Sequence, residues 1–328
     1  MSYIVGMDVG GTNTVAGLFG PDGALLRSVK RPTEKSQGAE GLLRQLADLA
    51  RHLIAGQNEP AARLAAVGIG LPGFIDRETG AVDAANLPLK NEPVAARLKE
   101  LLGVPVTVQN DVKMIVYGES IRGAGRQQPV VLGLTLGTGL AGALVIDGRI
   151  HDGAGGLAGE IGHITLDEIP YACGCGLTGC LETAASATGI ARQARDGLAN
   201  GAGGLLAERF PGERRQAITA RDVWQAAADG DAWALAVYRR TAVLLAKVLA
   251  PAVTLLSPDV VIVGGGVAAA GDILFAPLRE EVAAHVHPLY RSRLRIVPGA
   301  LGDEAGLFGS AEYARSRIQP PPAQTSAR

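Results

Sequence analysis

Cysteine, aromatic side chains, net charge and long apolar runs are all scarce in this sequence, and each scarcity removes a class of protein. Three cysteines in 328 residues cannot pair completely, so the chain is not a disulfide scaffold. Lysine plus arginine number 31 against 32 aspartate plus glutamate, a formal charge of −1 that leaves no bulk field to draw the chain onto nucleic acid or an anionic membrane. Neither is expected as a partner. No apolar run reaches the ~18 residues of a spanning helix. The N-terminal MSYIVGMDVGG has no basic region and no small-residue cleavage site, so a cytoplasmic protein is expected. Aromatics make up 4% against 47% hydrophobic residues, which predicts cores of Ala, Leu and Val.

Glycine is the residue in excess. Its 45 copies are about twice the usual ~7% share, and they fall in short clusters rather than a low-complexity tract. At roughly 100–200 residues per domain the length predicts two domains. Residues 3–7 and 14–19 are apolar runs around Asp8-Val9-Gly10-Gly11-Thr12-Asn13, and Pro21-Asp22-Gly23 follows. They read as a β-hairpin with a third strand over 25–30. Leu42, Leu46, Leu49 and Leu53 predict a helix over 41–55, and 64–71 is an apolar strand ending at Pro72-Gly73. A helix over 94–102 and a strand over 104–108, ending at Gln109-Asn110-Asp111, come next.

The same grammar then recurs. A strand over 130–136, a turn at Gly137-Thr138-Gly139, a strand over 141–146 and a type I′ signal at Asp147-Gly148 predict a second, similarly folded domain, with a turn of each facing a shared cleft. Thr219-Ala-Arg-Asp222 predicts a capping box and 232–249 a long buried helix. Residues 259–263 predict a strand running into Gly264-Gly265-Gly266, with a helix after Ala270, a last strand over 296–298 and a last helix over 305–315. The tail from Ile318, with Pro320-Pro321-Pro322, is expected to be mobile.

Asp8 ends a strand and is followed by Gly10, Gly11, Thr12 and Asn13. Two glycines let backbone N–H groups approach phosphate oxygens, and Asp8 is placed to hold Mg²⁺ directly or through water; an ordinary glycine hairpin reads equally well. It is neither a Walker A loop nor a dinucleotide fingerprint. Gly137-Thr138-Gly139 and Gly264-Gly265-Gly266 also follow apolar strands, and three such clusters favour one nucleotide site. Asp111 is either a general base for an attacking hydroxyl or a helix N-cap. His163 with Cys173, Cys175 and Cys180 reads as a Cys₃His set for tetrahedral zinc, against redox thiols or buried structural cysteines, and four protein ligands would make the ion structural. Glu160 and Glu182 flank that set and are available for hydroxyl groups. His52, His151, His285 and His287 read as surface or structural, and Trp224 and Trp233 as core.

Together these motifs resemble the ROK family (repressors, open reading frames and kinases) within the sugar kinase, Hsp70 and actin superfamily. The likeness runs from Asp8-Val-Gly-Gly-Thr12 through Asn110-Asp111, Gly137-Thr-Gly139, Gly159-Glu-Ile-Gly-His163 and the cysteine block to Gly264-Gly-Gly266 and Gly302-Asp-Glu-Ala-Gly306. It implies an α/β fold of two ribonuclease-H-like (actin/hexokinase-type) domains around a central cleft. A smaller domain of 1–113 plus about 301–317 and a larger one of 114–300 are expected, with 318–328 as the tail. The activity implied is ATP-dependent phosphorylation of a hexose, glucose first, in a homo-oligomer (dimer or tetramer). Asp111 matches the catalytic base. Asn86, Asn110, Glu160, His163 and Glu182 match sugar contacts, Asp8–Asn13 and Gly137–Gly139 the phosphate loops, and Gly264–Gly266 the adenosine loop. His163, Cys173, Cys175 and Cys180 match the zinc ligands.

Two departures bear on the hexose. Many glucokinases of the family read Glu-Asn-Asp-Ala-Asn where this chain has Gln109-Asn-Asp-Val112-Lys113, and an aromatic residue after Asn-Leu-Pro is replaced by Leu89-Lys90. Mannose, allose, fructose or N-acetylmannosamine are the alternative acceptors, and another donor than ATP is possible. A sugar-responsive repressor is the other class in the family. Such members carry a helix-turn-helix before the first glycine loop, and only seven residues precede Asp8 here.

Overall fold

A computed structural model describes residues 1–57, 62–76 and 78–318. The tail expected from Ile318 lies, beyond that residue, outside the described residues. The chain forms two compact units, one of Met1–Gln127, Gly148–Ala158 and the residues from Asp303 on, the other of Gln128–Asp147 and Gly159–Gly302.

The first unit is built on strands β1 (Ser2–Val9), β2 (Asn13–Phe19), β3 (Leu25–Pro32), β4 (Arg63–Leu71) and β8 (Val106–Asn110), in the order β3-β2-β1-β4-β8. β1, β2 and β3 pair antiparallel, whereas β1, β4 and β8 run parallel. A small second sheet of β5 (Phe74–Ile75), β6 (Val82–Ala84) and β7 (Leu89–Glu92) was not legible in the sequence, because its strands are two to four residues long.

One face of the main sheet is covered by α1 (Gly38–Ala55), whose Leu42, Leu46, Leu49 and Leu53 are buried against Met7, Val67 and Ile69. The four leucines share one helical stripe, as their spacing predicts. The opposite face takes the C-terminal helix Ala305–Ile318 through Ile4, Phe19, Ala66, Leu307 and Ala311. That helix lies almost on the backbone of the sheet. A Cβ on Gly68 would sit 1.8 Å from the carbonyl oxygen of Ser310.

After α2 (Val94–Leu102), the helix α3 (Asp111–Arg122) packs closely on the C-terminal helix: a Cβ on Gly309 would lie 1.7 Å from the Met114 carbonyl. This contact keeps 114–127 with the first unit, whereas the resemblance implies a second domain from 114. The segment Gly148–Ala158 also belongs to the first unit.

The second unit has the antiparallel pair Val130–Leu136 and Leu140–Ile146, then Val260–Gly264 parallel to the first of these and Arg295–Pro298 parallel to that. Asp147 and Gly148 take φ of 48° and 68°, as a type I′ turn requires. The capping box forms: Thr219 Oγ1 accepts from Asp222 N and Asp222 Oδ2 accepts from Thr219 N. The long helix runs over Ala232–Leu256, seven residues further than its apolar pattern predicts, and accommodates Pro251. It is the centre of the larger core, with Val237, Tyr238, Leu244, Leu245 and Leu249 buried and Trp224 and Trp233 packed against them.

Candidate active site

Two groups of residues, one in each unit, carry the expected chemistry. In the first unit, Asp8, Gly70 and Gln109 stand side by side across β1, β4 and β8, and Leu71 pairs with Asn110. Asp8 and Asn110-Asp111 therefore sit at the carboxyl ends of parallel strands, where α/β folds place ligands. The turn after Asp8 is held by Gly10 N donating to Asn13 O at 2.9 Å, while Thr33 Oγ1 donates to Gly10 O at 2.7 Å. A Cβ on Gly11 would lie 3.3 Å from the Asn86 Cβ, so Asn86 borders this turn.

Asn110, rather than Asp111, caps α3. Its Oδ1 accepts from Val112 N at 3.0 Å and Lys113 N at 3.2 Å, and its Nδ2 donates to Gly73 O at 3.3 Å. Asp111 is the first helical residue, with Oδ1 accepting from Val112 N at 2.9 Å. The cap alternative for Asp111 thereby passes to its neighbour.

Negative charge concentrates here. Burial, then repulsion from Asp111 and from Asp303, pushes the Asp8 carboxyl up to about 6. Asp303, just before the C-terminal helix, was assigned no role from the sequence; the Gly302-Asp-Glu-Ala-Gly306 motif was the available signal. Gly306 gives Asp8 its room, because a Cβ there would lie 2.8 Å from Asp8 Oδ2.

In the second unit, donor atoms of His163, Cys173, Cys175 and Cys180 lie within 4.8 Å of one another. Cys173 Sγ is 3.6 Å from His163 Nδ1 and Cys175 Sγ is 3.6 Å from Cys180 Sγ. A tetrahedral zinc with Zn–S and Zn–N near ~2.3 and ~2.0 Å has donor edges of about 3.5–3.8 Å, so this set fits the ion. The Leu177 amide, foremost, lowers the Cys175 thiol to about 7, whereas burial and the neighbouring thiols push Cys180 up to about 12. Since Nδ1 of His163 faces the thiols, Nε2 points away, 3.9 Å from Glu160 Oε2.

Glu182 connects the cysteine cluster to a glycine turn. Its Oε1 is 3.5 Å from Cys173 Sγ and its Oε2 accepts from Leu140 N at 3.2 Å, over Gly139. The turn Gly137-Thr138-Gly139 is closed by Gly137 N donating to Gly139 O at 2.9 Å, and Thr188 Oγ1 and Ala187 N bind the carbonyls of Thr138 and Gly137. Gly265, at φ 82°, packs on Leu136; a Cβ there would come within 2.4 Å of the Leu136 carbonyl. The second and third glycine clusters, far apart in sequence, are thus neighbours.

The ROK family model matches residues 4–317. The chain is 36% identical to the glucokinase of Thermotoga maritima, over 96% of this chain and 98% of the relative. Identity to the glucokinase of Halalkalibacterium halodurans is 37%, over 94% and 93%. A ROK family glucokinase from Streptomyces griseus, crystallised with glucose and AMPPNP, superposes with a TM-score of 0.78 at 31% identity, covering 96% of this chain and 99% of that one. With the sheet order, the glycine turns and the cysteine cluster already in place, these matches show that the chain belongs to the ROK family and has its two-domain α/β, actin/hexokinase-like fold.

Proposed function

We propose that this protein is a glucokinase, moving the γ-phosphoryl group of ATP to the 6-hydroxyl of glucose. The observation that carries the reading is the division of labour at the start of α3: Asn110 caps the helix, and Asp111 is its first residue, which supports reading Asp111 as the acid that takes a hydroxyl proton. The likeness to glucokinases over nearly the whole chain supports the substrate.

Asn86, Asn110, Glu160, His163 and Glu182 hold the sugar hydroxyls in this reading. Asp111 accepts the proton of the attacking hydroxyl as the O–P bond forms, late if the transition state is loose. Backbone N–H groups of the Gly10–Asn13 and Gly137–Gly139 turns, other than Gly10 N and Gly137 N which close those turns, bind the phosphates, and Gly264–Gly266 borders the adenosine. Asp8 would hold Mg²⁺, which would supply neutralisation of charge on the phosphoryl group. His163, Cys173, Cys175 and Cys180 would hold a structural zinc through Nδ1 and the three sulfurs, and His163 Nε2 would then be the nitrogen turned toward the sugar.

Gln109, Lys113 and Leu89-Lys90 depart from the common glucokinase pattern, which favours testing other hexoses beside glucose. Release of ADP from MgATP is measured with a hexose panel. Glucose-dependent turnover is expected, with Asp111→Ala lowering kcat by about 10²–10⁴-fold while glucose still binds. Near-normal turnover in that variant sinks the assignment of the base; turnover only with another sugar replaces glucose as the acceptor.

A further inference from the structure

Asp152 gathers the two side chains that flank Asn110-Asp111. Its Oδ1 accepts from Gln109 Nε2 at 3.1 Å and from Lys113 Nζ at 3.0 Å. Lys113 Nζ also donates to the carbonyl of Gly156 at 2.7 Å, and Gln109 Oε1 accepts from Asn110 N at 2.9 Å. The Lys113 and Asp152 side chains are only 7% and 9% exposed.

The segment that Asp152 opens has few means of holding its own shape. Gly153, Gly155 and Gly156 all take positive φ, and two backbone hydrogen bonds lie within it, Ala158 N to Asp152 O at 3.0 Å and Leu157 N to Ala154 O at 3.3 Å. Its fixed points are the Asp152 carboxylate and the Gly156 carbonyl, and Lys113 holds both. An ion pair this buried adds little stability, since desolvation offsets the attraction; what it supplies is direction. The direction here ties the residue before the Asn-Asp pair and the second residue after it to a single carboxylate oxygen, and Lys113 extends the tie to the glycine loop through the Gly156 carbonyl.

We propose that Gln109, Lys113 and Asp152 form a clamp that positions Asp111 together with the 152–158 loop, with Lys113 as a positioning residue for phosphoryl transfer. The proposal rests on the kinase reading above. It explains two of the three departures around the Asn-Asp pair as one feature: Gln109 and Lys113 differ from the common glucokinase residues together because they share a partner, whereas Val112 is outside the clamp. Lys113 itself touches no reacting atom.

The test compares Lys113→Met, Lys113→Arg and the uncharged double variant Lys113→Met/Asp152→Asn, which leaves no charge buried alone. In the double variant kcat is expected to fall at least about tenfold while KM for ATP stays within about twofold, and Lys113→Arg is expected to recover about half of the wild-type kcat. Amide exchange of residues 153–158 is expected to quicken at least about tenfold in the double variant, with the helix Ala232–Leu256 unchanged. A double-variant kcat within twofold of wild type, or unchanged exchange in the loop, overturns the clamp. The exchange measurement needs no turnover, so it stands even if the wild-type protein phosphorylates no hexose. That result would fall on the kinase reading alone.

Discussion

Glu182 places one carboxylate oxygen 3.5 Å from the Cys173 sulfur while the other accepts from the Leu140 amide beside the second glycine turn. Glu182, proposed above as a sugar contact, is thereby oriented by the cysteine cluster on one side and a glycine turn on the other. On the proposed zinc assignment, loss of the ion is expected to affect more than stability. Cys180→Ser, at the buried ligand, is expected to leave less than ~0.1 zinc per chain by elemental analysis. Its melting temperature should fall by about 10 °C, the size expected for ~3 kcal/mol in a domain of this length. Among molecules that remain folded, KM for the hexose should rise more than KM for ATP. Full activity in a zinc-free protein would remove the cluster from the sugar site.

A second expectation concerns pH. The Asp8 carboxyl is raised from its ordinary 3.8 to about 6, chiefly by burial and then by Asp111 and Asp303. An acid whose folded pKa is raised favours the folded state when protonated, and that contribution is lost as pH climbs through about 6. At ~1.4 kcal/mol per pH unit the ceiling is about 3 kcal/mol. Asp8→Asn is thus expected to melt higher than the wild type at pH 7.5 and equally below pH 4, while losing most of its kinase activity. Mg²⁺ should raise the wild-type melting temperature at pH 7.5 and leave the variant unmoved. A variant less stable than wild type at pH 7.5 would contradict the burial argument.

The long elements were legible because their burial is periodic. Leu42, Leu46, Leu49 and Leu53 fall on one helical stripe, and the Thr219–Asp222 box is a local hydrogen-bonding pattern, so both are written in consecutive residues. The cysteine cluster was legible for a different reason: its ligand chemistry is unusual enough to stand out without geometry. Three features were hidden. The strands between Phe74 and Glu92 are too short to show alternation. The pairing of Lys113 with Asp152 joins residues 39 positions apart, and nothing in either neighbourhood points to the other. The cap fell to Asn110 because both Asn and Asp are good caps, and only backbone geometry, extended at Asn110 and helical from Asp111, separates them.

Gly68 tests how the first unit is assembled. Its strand meets the C-terminal helix with no side chain between, and an added methyl would stand 1.8 Å from the Ser310 carbonyl and 3.1 Å from the Ala314 Cβ. The helix must then lift from β1 and β4, breaking the Ser310 Oγ to Met7 O bond of 2.8 Å. Gly68→Ala is expected to destabilise by about 2–4 kcal/mol, read from urea unfolding of the isolated variant. A change under ~1 kcal/mol would mean that the helix is not held at this distance.

The two duties of Asn110 can be separated by chemistry. Its Oδ1 caps α3, a role that serine performs about as well, whereas its Nδ2, which donates to Gly73 O, has no counterpart in serine. Asn110→Ala removes both and is expected to cost about 1 kcal/mol from the lost cap together with weaker sugar binding. Asn110→Ser should melt within a degree or two of wild type yet raise the hexose KM as much as the alanine variant does, because the amide alone is missing. The comparison is read from melting curves and from steady-state kinetics at saturating MgATP. If the serine variant kept wild-type KM, Asn110 would be a helix cap and no more, and the hold on the sugar would pass to the other polar side chains proposed for it.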